Sequence, residues 1–237
     1  MKFAIIAAGE GSRLRHEGVC VPKPLVALRG ETLIGRLIRI FEENEAEEIV
    51  VIVNDLYPET AKYLESLKNE DRAGNLKITV KTTPSSMHSF YEISRFLSDS
   101  DFCLTTVDTI FDESEFRRFV NLFKHYQTDG LMAVTDYIDD EKPLYVATDG
   151  RMHITAFNDA NVGDKFISGG IYCLKPNSIN ILEECIKKGM SRMRNFQRAL
   201  IAGGLDLEAY CFSKILDIDH AGDIVKAEEF LKECCND

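Results

Sequence analysis

Ala7-Ala8-Gly9-Glu10-Gly11-Ser12-Arg13-Leu14, with Pro22-Lys23-Pro24-Leu25 a short loop later, is the stretch from which the rest of the chain can be placed. The run ahead of it, Phe3-Ala4-Ile5-Ile6-Ala7-Ala8, is apolar throughout. That is the pattern of a parallel strand covered on both faces, and it predicts the first, central strand of a sheet. Gly9 and Gly11 lack a Cβ, so the turn after this strand is expected to take positive φ and to bring successive N–H groups against phosphate oxygens. Arg13 adds a forked cation for the same anion. Lys23 adds another, on a segment stiffened by its flanking prolines. A dinucleotide-binding turn would carry a third glycine before a helix, and a P-loop a Gly-Lys-Ser/Thr triplet; neither is present. Taken alone, Gly9 and Gly11 are also compatible with a plain strand-to-loop link. Lys23 is what favours the phosphate reading.

Beyond this turn, strands and helices alternate. Helical spacing runs over Ile34–Phe41, a second buried strand over Glu48–Val53, a helix over Pro58–Lys68, a strand over Leu76–Lys81, a helix over Phe90–Leu97 and a strand over Asp101–Val107. Ser114–Tyr126 reads as a helix opened by acidic residues. Shorter strands are predicted at Gly130–Thr135, Tyr145–Ala147, His153–Phe157 and Ser168–Leu174, then helices at Ile179–Lys187 and Met193–Ala202. A strand at Glu208–Phe212 and a helix at Ile224–Cys234 close the series. This alternation predicts an α/β fold with a mostly parallel sheet and ligands at the carboxyl ends of its strands.

The 237 residues, 45% of them hydrophobic, suit one domain spanning 1–237. The net charge of −11 opposes the basic footprint of a nucleic-acid binder, which leaves free nucleotide as the ligand class. The acidic group Glu42, Glu43, Glu45, Glu47 and Glu48 reads as a solvated helix end rather than a metal site. Seven cysteines (Cys20, Cys103, Cys173, Cys185, Cys211, Cys234 and Cys235) show no Cys-x-x-Cys pair and read as reduced thiols. With neither a signal-peptide pattern nor an apolar run of membrane-spanning length, the expected setting is the cytoplasm, with no membrane partner.

Gly9, Gly11, Arg13 and Leu14, followed by Pro22, Lys23, Pro24 and Leu25, resemble the signature of the sugar-phosphate nucleotidyltransferases, the family that makes NDP-sugars and related activated head groups. The similarity runs from Ala7 to about Phe230. It implies a three-layer Rossmann-like, GT-A-like fold with helices on both faces of the sheet. The part up to about residue 112 would bind nucleotide, and the remainder would bind the acceptor and complete a metal site. The implied reaction is attack by an acceptor phosphate oxygen on the α-phosphorus of a nucleoside triphosphate, assisted by Mg2+ and releasing pyrophosphate.

Carried onto this sequence, the resemblance gives Arg13 and Lys23 catalytic roles on phosphate and assigns Ala8, Gly9, Gly11 and Ser12 to nucleotide. Ser89, in Ser85-Ser86-Met87-His88-Ser89-Phe90-Tyr91, would open a helix beside the base and ribose. Asp108, leaving the strand Leu104–Val107, and Asp219, in Asp217-Ile218-Asp219-His220-Ala221-Gly222-Asp223, would hold the metal, with Asp223 capping the last helix. On the acceptor side the implied residues are Lys165 and Gly170. The family's Glu-Lys-Pro segment is replaced here by Ala156–Lys165, which weakens the case for a standard hexose phosphate and leaves a phosphocholine-like acceptor as an alternative. Two other readings stay open: a glycosyltransferase, which favours Asp-x-Asp where this chain has Thr106-Val107-Asp108, and a non-catalytic nucleotide-binding regulator.

Overall fold

In the computed structural model, which describes residues 1–69, 75–139 and 141–234, the first apolar run forms β1 (Lys2–Ala7). A short helix α1 (Ser12–His16) and a 3-10 turn (Lys23–Leu25) lead to the ribbon β2 (Ala27–Leu28) and β3 (Glu31–Thr32). There follow α2 (Leu33–Glu43), β4 (Ile49–Val53), α3 (Pro58–Asn69), β5 (Leu76–Val80), α4 (Ser86–Ser94), β6 (Phe102–Thr106), β7 (Thr109–Phe111) and α5 (Glu113–His125). The second half contains β8 (Gly130–Thr135), β9 (Tyr145–Thr148), β10 (Ile154–Asn158), β11 (Phe166–Leu174), α6 (Ser178–Lys187), α7 (Met193–Ala202), β12 (Leu207–Phe212), β13 (Ile215–Asp217) and α8 (Ala221–Cys234). Cys235 lies outside the described residues.

The main sheet runs β10-β9-β11-β6-β1-β4-β5, and β8 joins β11 to β12. β1 is central, as predicted, and pairs in parallel with both β4 and β6. All six of its residues are buried, because alternate side chains enter different layers. Phe3, Ile5 and Ala7 pack into a core shared with α2, α5 and α8, whereas Ala4, Ile6 and Ala8 join a core built with α4, α6 and α7. A strand with helices on both faces must be apolar at every position, which is why the first run shows no alternation. The first core is rich in aromatics: Phe41 stacks on Phe3 at 4.6 Å, and Phe116 stacks on Phe111 at 4.8 Å.

The parallel register brings Ala7 opposite Val53 and Ile6 opposite Thr106, so the turns after β1, β4 and β6 emerge at one edge. β11 departs from the parallel pattern and runs antiparallel to β6, β8 and β9. Its pairing slips between Ser168 and Tyr172, where Gly170 sits at φ +73°. The slip is a bulge of the kind that re-aims a strand at the rim of a site.

Two helices start a full turn or nearly so earlier than their sequence pattern predicts. α4 begins at Ser86 rather than Phe90, which places Ser89 inside the helix, and α8 begins at Ala221 rather than Ile224. In α4 the first turn has one apolar residue, Met87, three positions ahead of Phe90, and α8 opens on Ala221, Gly222 and Asp223, so each stripe is thin at its start. Asp223 therefore sits within the first turn of α8 and accepts from the N–H groups of Asp219 (3.1 Å) and His220 (2.8 Å), the reciprocal half of a capping box. The side-chain N-cap of α5 is Asp112, which accepts from the N–H of Glu115 at 2.8 Å.

Candidate active site

Four charged side chains from separate parts of the sequence meet at the carboxyl edge of the sheet. Asp108 leaves β6 directly into β7, and β13 pairs antiparallel with β7, with Asp217 opposite Thr109. That ladder, extended by a bond from the N–H of Ile218 to the carbonyl of Asp108 (3.2 Å), carries Asp219 alongside Asp108. Lys23 reaches the same point from the 3-10 turn. Its Nζ donates to Asp108 Oδ2 and, at 2.9 Å, to Asp219 Oδ1. Arg13 in α1 donates to the other Asp219 oxygen, Oδ2, at 2.8 Å.

These groups differ in exposure. The Lys23 side chain is 11% exposed and that of Asp108 19%, against 47% for Asp219 and 57% for Arg13. Burial pushes the Asp108 carboxyl up, but the Lys23 charge and hydrogen bond, with help from the Thr106 hydroxyl, hold it below its ordinary value. Burial likewise works against the Lys23 ammonium, and the two carboxylates outweigh it and raise its pKa. Both groups are therefore charged at neutral pH.

A clasp supports this arrangement from outside. Glu17, just after α1, accepts from His220 Nδ1 and from the N–H of Ala221, each at 2.6 Å. The hydrogen bond from His220 lowers the Glu17 pKa and raises that of His220. The loop histidine thus has a structural partner.

A cleft of about 290 Å³ opens over the four charges and is lined by Ala8, Gly9, Gly11, Ser12, Arg13, Lys23, Ser86, Ser89, Asp108 and Asp219 among others. Every residue assigned from the sequence to nucleotide, catalysis or metal therefore lies on one surface. Gly11 takes the expected positive φ (+59°), and a Cβ there would stand 3.0 Å from Lys23 Cβ. Gly9 differs from expectation: its φ is not positive. A Cβ on Gly9 would meet no protein atom within 4 Å, so its value is open space in the cleft wall. Ser89 does not cap α4; it is buried and shares a 2.6 Å hydrogen bond with Thr83. Asn54 is also committed to structure, holding the carbonyl of Ala8 at 2.9 Å.

A second cleft, about 570 Å³, meets the first at Arg13 and Asp219. Its walls include Tyr137, Ser168, Gly169, Arg194, Asp217 and Lys226. Neither acceptor-side residue expected from the sequence is among those lining it. Lys165 is 68% exposed, lies 3.4 Å from Asp136 and stands over the ring of Phe166. Gly170 sits in the bulge at φ +73°, and an added Cβ there would be in ordinary contact with Thr109 Oγ1 at 3.5 Å. Sequence reading missed Arg194, held by Asp159 at 2.6 Å, and the Glu17 clasp. The only available signal for Arg194 was a cation in the first turn of a helix, where carboxylates are favoured.

Residues 3–170 match the MobA-like NTP transferase domain. The chain belongs to that family. The match ends before Asp219, so the position of that carboxylate beside Asp108 is a matter of geometry. This NTP transferase is 21% identical over 201 residues to a probable glucose-1-phosphate cytidylyltransferase of Bacillus subtilis (strain 168), covering 77% of this chain and 78% of the relative. It is 26% identical over 192 residues to a mannose-1-phosphate guanyltransferase of Yarrowia lipolytica, where the match covers 77% of this chain and 52% of the longer relative. Among solved structures, a putative glucose-1-phosphate thymidylyltransferase of Bacillus anthracis superposes with a TM-score of 0.84 at 15% identity, over 98% of this chain and 96% of the other. The inositol-1-phosphate CTP transferase of T. maritima gives 0.80 at 18% identity, over 98% and 95%. The Rossmann-like fold and the nucleotidyltransferase class expected from the signature are thus both found. No described helix is long and apolar enough to cross a membrane.

Proposed function

We propose that this enzyme transfers a nucleotidyl group from a nucleoside triphosphate to a sugar-1-phosphate, releasing pyrophosphate. The observation that carries this reading is the convergence of Arg13, Lys23, Asp108 and Asp219 where the two clefts meet. The chain divides by role along its length. The first cleft draws on residues up to Asp108, plus Asp219, and the second almost wholly on residues from Thr135 onward, plus Arg13.

The donor set fits a hard divalent cation. Two carboxylates already converge on one positive centre, and no sulfur or imidazole ligand lies among them. Mg2+ held by Asp108 and Asp219 would neutralise phosphate charge during transfer. The remaining work falls to the chain itself. Amides of the Gly9–Ser12 turn face the phosphates, and Arg13 and Lys23 stabilise charge that grows on them as the bond to pyrophosphate breaks. The acceptor phosphate is already ionised, so its oxygen attacks without a general base, and the second cleft orients it for in-line approach.

The sugar-1-phosphate assignment draws on the two relatives that bear such names and on the polar second cleft, in which Tyr137 is the sole aromatic among the lining residues described. A quaternary ammonium head group calls for an aromatic cage, which one tyrosine does not make, or for an acidic pocket, which Asp139, Glu141, Asp217 and Asp223 would supply, so phosphocholine is kept as the second acceptor in the test. A purely regulatory protein would have no use for this intact set of opposed charges.

The test is pyrophosphate release with Mg2+ from each of the four ribonucleoside triphosphates, paired with pooled sugar-1-phosphates or with phosphocholine. Acceptor-dependent release is expected, lowered by roughly a hundredfold or more in Lys23→Ala. Release with phosphocholine alone would move the acceptor assignment. Nucleotide binding without release from any pair would refute the reading.

A further inference from the structure

The two carboxylates assigned to the metal are occupied by Lys23. Its ammonium bonds an oxygen of each, and the second oxygen of Asp219 is taken by Arg13. A magnesium-like ion stands about 2.1 Å from carboxylate oxygens, so it would need the space that Nζ now fills. Two cations cannot share that position: a double and a single positive charge about 3 Å apart repel strongly, the more so beside side chains as buried as those of Lys23 and Asp108.

Charge balance points the same way. Arg13 and Lys23 cancel Asp108 and Asp219, so the ligand-free site is neutral. A divalent ion alone would leave it at +2, and a fully ionised triphosphate alone at −4. The two together bring only −2, spread over a ligand that extends away from the carboxylates and meets the backbone N–H groups of the turn after β1. The exchange asks little of the backbone. Pro22 and Pro24 fix the chain on either side of Lys23, and the flexible four-carbon stem lets the ammonium swing from carboxylate to phosphate.

We propose that Lys23 is the resident cation of this site, and that a divalent metal ion enters only with a nucleoside triphosphate, whose phosphates draw the ammonium off Asp108 and Asp219. Lys23 then has two successive duties, first as a placeholder for the metal and then as a phosphate ligand. The inference rests on the nucleotidyltransferase reading of the same site.

The experiment is equilibrium Mn2+ binding, followed by electron paramagnetic resonance and calorimetry. Wild-type protein is compared without nucleotide and with the α,β-methylene analogue of each ribonucleoside triphosphate, after subtracting Mn2+ bound by analogue alone. Weak binding by the free protein is expected, tightened about a hundredfold or more by the analogue that fits. Lys23→Met without nucleotide is expected to bind Mn2+ at least about tenfold more tightly than wild type, whereas Lys23→Arg, which keeps the charge, is not. Adding Asp108→Asn to Lys23→Met is expected to abolish the gain. Thermal melts report the same events: Mn2+ should raise the melting temperature of Lys23→Met more than that of wild type.

Free wild-type protein that binds Mn2+ as tightly as its analogue complex would overturn the proposal, as would a folded Lys23→Met protein no better than wild type. If Lys23→Met does not fold, the wild-type comparison decides alone. These outcomes are separate from failure of the transferase reading, which would show as absent pyrophosphate release whatever the metal affinity.

Discussion

The two glycines of the phosphate turn should fail in different ways when given a methyl group. Gly11 lies at φ +59°, where a residue with a Cβ pays about 1–2 kcal/mol, and its new Cβ would press on Lys23 Cβ at 3.0 Å. For a chain of this size that strain lowers the melting temperature by about 2–8 °C. Because Lys23 is braced by prolines, relief of the contact must displace its side chain from Asp108 and Asp219. A misplacement of a few tenths of an ångström to 1 Å is enough to cost about 10- to 100-fold in turnover. Gly9→Ala has neither problem, since its φ is not positive and no atom lies within 4 Å of the added Cβ. Its stability should stay within about 0.5 kcal/mol of wild type. Gly9 lines the cleft, however, so the methyl takes space a phosphate would use, and nucleotide affinity should fall about tenfold or more. Thermal melts and nucleotide calorimetry on both variants read these quantities. A Gly9→Ala protein that binds nucleotide like wild type, or a Gly11→Ala protein that melts with it, would refute the reasoning.

Phe116→Ala, in the aromatic cluster with Phe111 and Phe41, should cost about 3–5 kcal/mol in urea unfolding; less than 1 kcal/mol would mean the cluster is not tightly packed. Lys165→Ala should leave the acceptor KM within about twofold of wild type, because its exposed pair with Asp136 is weak and outside both clefts; a large rise would restore it as an acceptor ligand. The hydrogen bond to Asp206 at 2.8 Å raises the pKa of His153 in the folded state. Its contribution to stability is therefore fully present below about pH 6.5 and lost as pH rises through the folded value. Melting temperatures measured upward from about pH 6 should show that loss, and His153→Asn should flatten it; an unchanged slope would remove His153 as the cause.

What the sequence conveyed depended on how local the signal was. β1 and β8 follow from unbroken apolar runs and α7 from helical spacing, and the phosphate turn follows from glycines and cations a few positions apart. The start of α4 is obscured because Met87, the one apolar residue of its first turn and the beginning of the buried stripe Met87, Phe90 and Ile93, sits among Ser86, His88 and Ser89, and Ser89 is buried through a bond to Thr83 that only the folded chain supplies. Lys165, just before β11, and Gly170, in its bulge, are not among the residues lining the second cleft, and no pattern in the residues announces which side of β11 faces it. Arg194 and Glu17 act across distant elements, so neither carries a signature in its own neighbourhood.

Asp219 is joined to Arg13 across 206 positions and to Lys23 across 196, and Glu17 holds Ala221 across 204. During synthesis at about 5–20 residues per second, Asp219 follows Lys23 by about 10–40 s. Asp108 follows Lys23 by only 85 positions, so β1, β4 and β6 can assemble and pair Lys23 with it before Asp219 is made. At that stage Lys23 has one of its two carboxylates, and the Asp219 partner of Arg13 is not yet made. The complete set of four charges therefore forms only once β13 and α8 dock, which makes closure of this site one of the longest-range events in the folding of the chain.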